Sequence, residues 1–293
     1  MKNNLIKLDI GEIKETKLSD YSTYKVGGES TMVFVDSISS LIKLIKYLKE
    51  NSIKYKVIGN ASNLIFSDYG YNGVLINLSK INYIKKYRNY FTVSSGYSLI
   101  KFSNEISNIG YTGLEFSTGI PGQVGGAVFM NAGCYGSDIS KVLYKVKVLT
   151  DNYKIKTIYN KDLNFGYRDS IFRYKNYICI DATFKLKKES TEEIKPRIEE
   201  YRLKRFNSQP LEYPNAGSVF RNPEGYAAGK LIEDLGLKNY HIGGAYISEK
   251  HANFIINKNN ATSKDIVDLI SFVKKEVKAK YNIDLKCEQE IVE

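Results

Sequence analysis

Gly119-Ile120-Pro121-Gly122-Gln123-Val124-Gly125-Gly126-Ala127, followed closely by Asn131-Ala132-Gly133, sits inside a stretch, residues 116–137, that carries no charged side chain over 22 positions. That length approaches a membrane span, but six glycines and Pro121 would make a poor lipid-facing helix. They suit a backbone that turns repeatedly and lets a ligand come close, so the stretch is read as a buried loop system. Crowded N–H groups in such a turn can cradle an anion, and glycine-rich turns serve tight packing equally well. No Lys-Ser/Thr follows, and the spacing is not G-x-G-x-x-G after a strand, which excludes the P-loop and Rossmann readings.

On the N-terminal side, an apolar run at 32–35, helical spacing of Leu41, Ile42, Leu44, Ile45 and Leu48, and a strand at 53–58 make a small βαβ unit. It runs into Gly59-Asn60-Ala61-Ser62-Asn63, a second turn suited to a phosphate or to an ordinary polar reversal. A strand follows at 74–78. Residues 81–94 alternate around Arg88-Asn89 as a hairpin, and Leu99, Phe102, Ile106 and Ile109 mark a helix ended by Gly110. On the C-terminal side, strands are expected at 142–149, 153–159 and 177–186. Four of the five prolines and a charged run at 195–205 lie close together, and a domain boundary is placed there. Beyond it the pattern predicts a helix at 227–235, a strand at 253–257 and a capped helix after Thr262 with Ile266, Leu269, Ile270, Val273 and Val277 on one face.

A chain of 293 residues with 43% hydrophobic side chains can bury a real core, in about two domains or three small ones. The net charge of +11 comes from lysines scattered along the chain, so solvated surface lysine is favoured over a nucleic-acid patch. Cys134, Cys179 and Cys287 are too widely separated for a disulfide framework or a zinc site, which fits a reducing compartment. The first twenty or so residues lack the apolar core of a signal peptide. No G-x-S-x-G is present, and His241 and His251 are the only imidazoles, which argues against nucleophilic hydrolysis and against a metal site.

Two further segments carry chemistry. Phe165-Gly166-Tyr167-Arg168-Asp169-Ser170 gathers a phenol, a guanidinium and a carboxylate, enough to polarise an oxyanion or to make an Arg-Asp surface pair. Asn215-Ala216-Gly217-Ser218-Val219-Phe220-Arg221-Asn222-Pro223 sets a serine directly after a glycine, as an acid or as a common turn residue.

Together, Gly59 to Leu64, the glycine-rich stretch, Met130-Asn131-Ala132-Gly133, the Tyr167-Arg168 segment, Gln209-Pro210 and Gly217-Ser218 resemble the UDP-N-acetylenolpyruvoylglucosamine reductase family. The resemblance runs from Tyr24-Lys25-Val26-Gly27-Gly28 through Lys250-His251-Ala252-Asn253-Phe254 to the C-terminal strand. It implies an α+β fold: a vanillyl-alcohol-oxidase-like (PCMH-type), two-part FAD-binding region over residues 1–79 and 80–190, and an α+β substrate-binding domain over 191–293. The short spacing from Arg168 to Ser218 assigns the shorter subclass, without the extra substrate-covering loop. Departures are Asn60 and Ala61 in a turn usually richer in glycine, Arg221 for the more usual lysine, and Gln289-Glu290 where Val-Arg is common.

The resemblance further implies a cytoplasmic, monomeric enzyme of peptidoglycan precursor synthesis, serving cell-wall biogenesis, cell shape and division. It would use noncovalent FAD and NADPH to reduce UDP-N-acetylglucosamine enolpyruvate to UDP-N-acetylmuramate, with no metal, nucleic acid or membrane partner. Carried over residue by residue, Ser218, Arg168 and Glu288 are catalytic. Gly59, Asn60, Ala61, Ser62, Asn63, Leu64, Gly119, Pro121, Gly122, Val124, Gly125, Gly126, Asn131, Ala132 and Gly133 hold the cofactor, and Tyr167, Arg221 and Asn222 bind substrate. Glu288 and Glu290, two apart in an extended tail, would share a face, and the spacing from Leu285 selects Glu288. The competing reading is a flavin-dependent alcohol oxidase of the same cofactor-binding fold.

Overall fold

The computed structural model describes residues 2–293. The chain packs as two compact units, neither contiguous in sequence. One comprises the stretch up to Lys14, Met32–Gly59 and Val74–Arg205; the other comprises Glu15–Thr31, Asn60–Gly73 and Phe206–Glu293.

In the first unit, Tyr55–Ile58 pairs in parallel with Val74–Asn77, Val57 opposite Ile76. The helix Ile38–Glu50 covers it with Leu41, Leu44, Ile45 and Leu48, the stripe that helical spacing selects. Ser37 caps this helix by accepting from Ser40 N at 3.1 Å. A second, antiparallel sheet of five strands runs in the order Ile155–Tyr159, Leu143–Leu149, Ile178–Lys185, Tyr90–Ser94, Ile84–Tyr87. Leu99–Asn108 packs on it through Phe102, whose ring lies 5.2 Å from that of Phe184. Gly110 ends the helix at φ +76°, and Arg88 turns the hairpin at φ +54°.

The second unit holds the strands His241–Ile242, Ala245–Ile247 and Ile255–Asn257, covered by the helix Ser263–Tyr281. That helix starts on a reciprocal cap, Thr262 with Asp265, stabilising it by about 1 kcal/mol. It buries Ile266, Leu269, Ile270, Val273 and Val277.

The sequence reading cuts the chain at 79/80 and 190/191, whereas the contacts assign residues 60–73 to the C-terminal part. The reason is a strand pair: Leu64–Phe66 runs parallel to Glu290–Val292, with Ile65 opposite Ile291. Residues 195–205, read as a boundary, lie inside an 18-residue helix, Thr191–Ser208, that carries Pro196. Its first turn is acidic, and Ser190 Oγ accepts from Glu193 N at 3.3 Å. The division between units falls at Arg205/Phe206, near that helix's end.

Residues 116–137 also differ from a simple loop system. They contain a short 3₁₀ turn at Glu115–Ser117, a helix at Val124–Phe129 and the small hairpin Gly133–Cys134 with Ser137–Asp138. Glycine opposes a helix, but here tertiary bonds hold it: Val124 N donates to Tyr97 O at 2.9 Å and Gly125 N to Ser95 O at 2.8 Å. Among the described residues no helix is long and apolar enough to cross a membrane.

Candidate active site

The first unit gathers Gly59, the glycine-rich segment and the Arg168 turn. Asn77, a polar residue ending the apolar strand Val74–Asn77, is fully buried. Its Nδ2 donates to Gly59 O at 3.1 Å, and its Oδ1 accepts from Ser79 N at 2.9 Å and from Gln123 Nε2 at 3.4 Å. Asn77 therefore ties the end of the first turn to the glycine-rich segment. Neither Asn77 nor Gln123 was picked out by the sequence reading, although an amide closing a four-residue apolar strand is a signal for a buried hydrogen-bonded role.

The glycines divide by what surrounds them. A Cβ on Gly125 would lie 2.8 Å from Ser95 Cβ, and one on Gly133 would lie 2.4 Å from Ser137 O. Since Val124 and Gly125 N–H groups also bond to the chain's own carbonyls, these positions serve close packing. Gly126 is different: a Cβ there meets nothing within 4 Å, so its side of the helix is open. Gly122 has φ +148° and accepts from Leu99 N at 3.0 Å. Gly133→Ala is thus expected to lower stability by ~1–3 kcal/mol, the cost of overpacking. Gly126→Ala should leave the apoprotein as stable or up to ~1 kcal/mol more stable and weaken flavin retention. Urea unfolding of apoprotein together with flavin-binding titration checks the pair. Unchanged retention in Gly126→Ala would make that glycine a helix residue only.

Asn131, at φ +43°, donates from Nδ2 to Gly166 O at 3.0 Å and accepts at Oδ1 from Ser140 N at 3.0 Å. Its side chain is a brace between the glycine-rich segment and the Tyr167-Arg168 turn. The neighbouring Ala132 N bonds to Ala127 O at 2.8 Å. In the turn, Gly166 and Asp169 exchange backbone bonds at 3.0 and 3.3 Å, with Tyr167 and Arg168 at its tip. Arg168 holds φ +56°, a position that ordinarily selects glycine or asparagine. Strain of this kind persists only where the surroundings impose it. Arg168 Nη2 donates to Gly133 O at 2.9 Å, and its guanidinium carbon lies 5.3 Å from the Tyr167 ring centre. Asp169 pairs with Arg173 at 3.5 Å rather than with Arg168, while Ser170 Oγ donates to Phe129 O at 2.7 Å. The Arg-Asp surface pair considered from sequence is therefore not how Arg168 is used.

Beside this turn, Phe116, Gly119, Cys134, Tyr135, Tyr201 and Arg205 line a small recess. Burial pushes the Cys134 thiol up to about 11, and the thiol donates to Phe116 O at 3.0 Å. The half-buried Arg205 packs so close to Gly119 that a Cβ there would lie 3.0 Å from Arg205 Cδ. Among the described residues no carboxylate is within ion-pair distance of Arg205, and burial lowers its guanidinium below its ordinary value. In the sequence this arginine was visible only as part of a charged run.

The second unit gathers the rest of the first turn with Ser218, Arg221, Asn222 and Glu288. Ala61 is buried with φ +54°, the conformation that explains why glycine suits this turn. Asn63 Nδ2 donates to Glu288 O at 3.0 Å, and Glu290 N donates to Asn63 O at 3.0 Å. The tail runs antiparallel to the serine segment: Phe220 bridges Cys287, Glu288 N donates to Val219 O at 2.8 Å, and Arg221 N donates to Lys286 O at 2.9 Å. Glu288 is half-buried and Glu290 exposed, so the two differ in environment despite their two-residue spacing. Asn222 Oδ1 accepts from Ala228 N at 3.0 Å, opening the helix Ala228–Asp234.

Asn253, 4% exposed, clamps the segment after Ser218. It accepts Val219 N at its own carbonyl (2.9 Å) and Phe220 N at Oδ1 (3.0 Å), and donates from Nδ2 to Phe220 O (2.8 Å). His251 Nδ1 accepts from Asn253 N at 3.2 Å, and burial lowers its pKa, which favours the neutral ring needed to accept. Among the described residues the half-buried Ser218 hydroxyl has no hydrogen-bond partner, although the backbone on either side of it is pinned.

An open-sided glycine, and a half-buried guanidinium that among the described residues has no carboxylate beside it, suit an anionic group on an α+β fold, and the family matches make the class that of the FAD-binding α+β oxidoreductases. Residues 30–159 match the FAD binding domain family, and residues 209–292 match the UDP-N-acetylenolpyruvoylglucosamine reductase C-terminal domain. The chain is 44% identical over 280 residues to the UDP-N-acetylenolpyruvoylglucosamine reductase of Clostridium botulinum (strain Alaska E43 / Type E3), covering 95% of this chain and 92% of that one. It is 41% identical over 292 residues to that of Bacillus licheniformis, covering 98% and 96%. The crystal structure of UDP-N-acetylenolpyruvylglucosamine reductase from Thermus caldophilus matches with a TM-score of 0.84 at 33% identity, over 96% of this chain and 99% of that one. The chain belongs to the UDP-N-acetylenolpyruvoylglucosamine reductase family, which favours the reductase reading over the alcohol oxidase.

Proposed function

We propose that the protein reduces UDP-N-acetylglucosamine enolpyruvate to UDP-N-acetylmuramate with NADPH, using noncovalent FAD, as a monomer in the cytoplasm, and that it serves peptidoglycan synthesis and through it cell shape and division. Residues 1–79 and 80–190 would carry the flavin-holding parts and 191–293 the substrate-binding part. Backbone from Gly59 to Leu64 and around Gly119, Pro121, Gly122 and Gly126 would hold the cofactor. Val124, Gly125, Asn131, Ala132 and Gly133 would support it by packing and bracing, and Arg205 would meet diphosphate charge. Bound flavin supplies the hydride relay between nicotinamide and the vinyl carbon of the enol ether.

The remaining chemistry belongs to the chain. Charge builds toward the substrate carboxylate as hydride arrives, and Arg168 together with Glu288 in its protonated or proton-sharing form would stabilise it through positioned hydrogen bonds. Ser218 Oγ–H would give its proton to the carbon next to the carboxylate and recover one from solvent. Tyr167, Arg221 and Asn222 would orient the sugar nucleotide. The observation that carries this reading is the Ser218 segment: its backbone is fixed on both sides while its hydroxyl has no hydrogen-bond partner among the described residues. No covalent attachment is part of the reading, so acid precipitation should release all flavin into the supernatant; flavin remaining on the pellet would contradict it.

A further inference from the structure

Gln289 is 5% exposed and all of its amide is engaged. Nε2 donates to Ala216 O at 3.1 Å and Gly217 O at 3.0 Å, while Oε1 accepts from Tyr24 Oη at 3.0 Å. The orientation follows from chemistry, because two carbonyl oxygens can only accept and must face the amide nitrogen. Tyr24 is fully buried, and burial raises its hydroxyl pKa, so it remains a donor. On its far side, Gly217 sits at φ +76° with its N–H bonded to Asn215 Oδ1 at 3.0 Å. The carbonyls held by Gln289 are those of the two residues immediately before Ser218, and Asn253 holds the two immediately after. Gln289 also directly follows Glu288, whose N–H bonds to Val219.

We infer that Gln289 is a positioning residue: it locks the Ala216-Gly217 peptides, and with them the Ser218 hydroxyl, to the strand that carries Glu288, with Tyr24 fixing the amide. A valine at this place would fill similar apolar space but supply no donor, so the amide is what ties the serine segment to the strand that carries Glu288. The inference rests on Ser218 as proton donor. Misplacing a reacting group by about 1 Å costs on the order of 10²-fold in rate.

Gln289→Val holoenzyme should therefore keep its flavin content and its rate of reduction by NADPH, while anaerobic reoxidation by UDP-N-acetylglucosamine enolpyruvate slows by about 10- to 10²-fold. The solvent deuterium isotope effect on reoxidation should rise, because proton delivery becomes the lagging event. Tyr24→Phe removes one hydroxyl and should show the same pattern more weakly, and it stands as the test should Gln289→Val not fold. Equal slowing of both half-reactions with an unchanged isotope effect would mean a merely structural role and overturn the inference. So would reoxidation at the parent rate, provided Ser218→Ala slows that step. If Ser218→Ala does not, the proton-donor reading falls, and the positioning role with it.

Discussion

Ser218→Ala is expected to leave NADPH-driven bleaching of the flavin intact and to slow reoxidation by the enolpyruvyl substrate by about 10²–10⁴-fold, the scale of general acid catalysis. The substitution removes one hydroxyl that has no protein partner among the described residues, so no buried group is left unsatisfied. Gly217 at φ +76° and the Asn253 clamp hold the backbone whatever side chain follows. Stopped-flow absorbance separates the two steps. Equal loss in both would move Ser218 from chemistry to architecture.

The second large effect separates two acids of the tail. Glu288→Gln should depress substrate-driven reoxidation by about 10²-fold, the usual consequence of losing one positioned group that stabilises developing charge. Glu290→Gln should leave it nearly unchanged. Their environments support the distinction. Glu288 is half-buried, its backbone bonded to Val219 and Asn63, whereas Glu290 is exposed at the start of the terminal strand. A large effect confined to Glu290→Gln would show the tail to act one strand repeat later than assigned. No effect from either would leave Arg168 alone to stabilise the charge.

The extended tail that carries both acids is held along its length. Glu290–Val292 pairs with Leu64–Phe66, and Val292 is 3% exposed. A three-residue strand whose partner is more than two hundred positions away leaves no local signal, which is why the pairing was invisible. The same holds for Gln289, legible only as an odd residue in a family pattern. By contrast, the helices Ile38–Glu50, Leu99–Asn108 and Ser263–Tyr281 and the Arg88 hairpin were legible, because apolar period, a capping hydroxyl or a terminal glycine announced each.

The helix Val124–Phe129 was not, since its glycines disfavour helix and the carbonyls of Ser95 and Tyr97 that hold it are distant in sequence. Thr191–Ser208 was masked by its charge: only Ile194 and Ile198 are buried along it, too few to give a helical period. Of the candidate site, the residues with unusual chemistry, Arg168, Ser218 and Glu288, could be picked out through a family resemblance. The braces around it, Asn77 and Gln123 at the first turn and Asn253 and Gln289 at the serine segment, are amides whose role depends on which backbone groups the fold brings near.

The visible spectrum of the purified protein under anaerobic conditions, recorded first with NADPH and then with UDP-N-acetylglucosamine enolpyruvate, tests the reductase reading. NADPH should bleach the long-wavelength flavin band and the enolpyruvyl substrate should restore it without oxygen, one UDP-N-acetylmuramate appearing for each flavin reoxidised. A protein that holds no flavin and cannot be reconstituted with FAD, or a bleached flavin that returns only when oxygen is admitted, would contradict it.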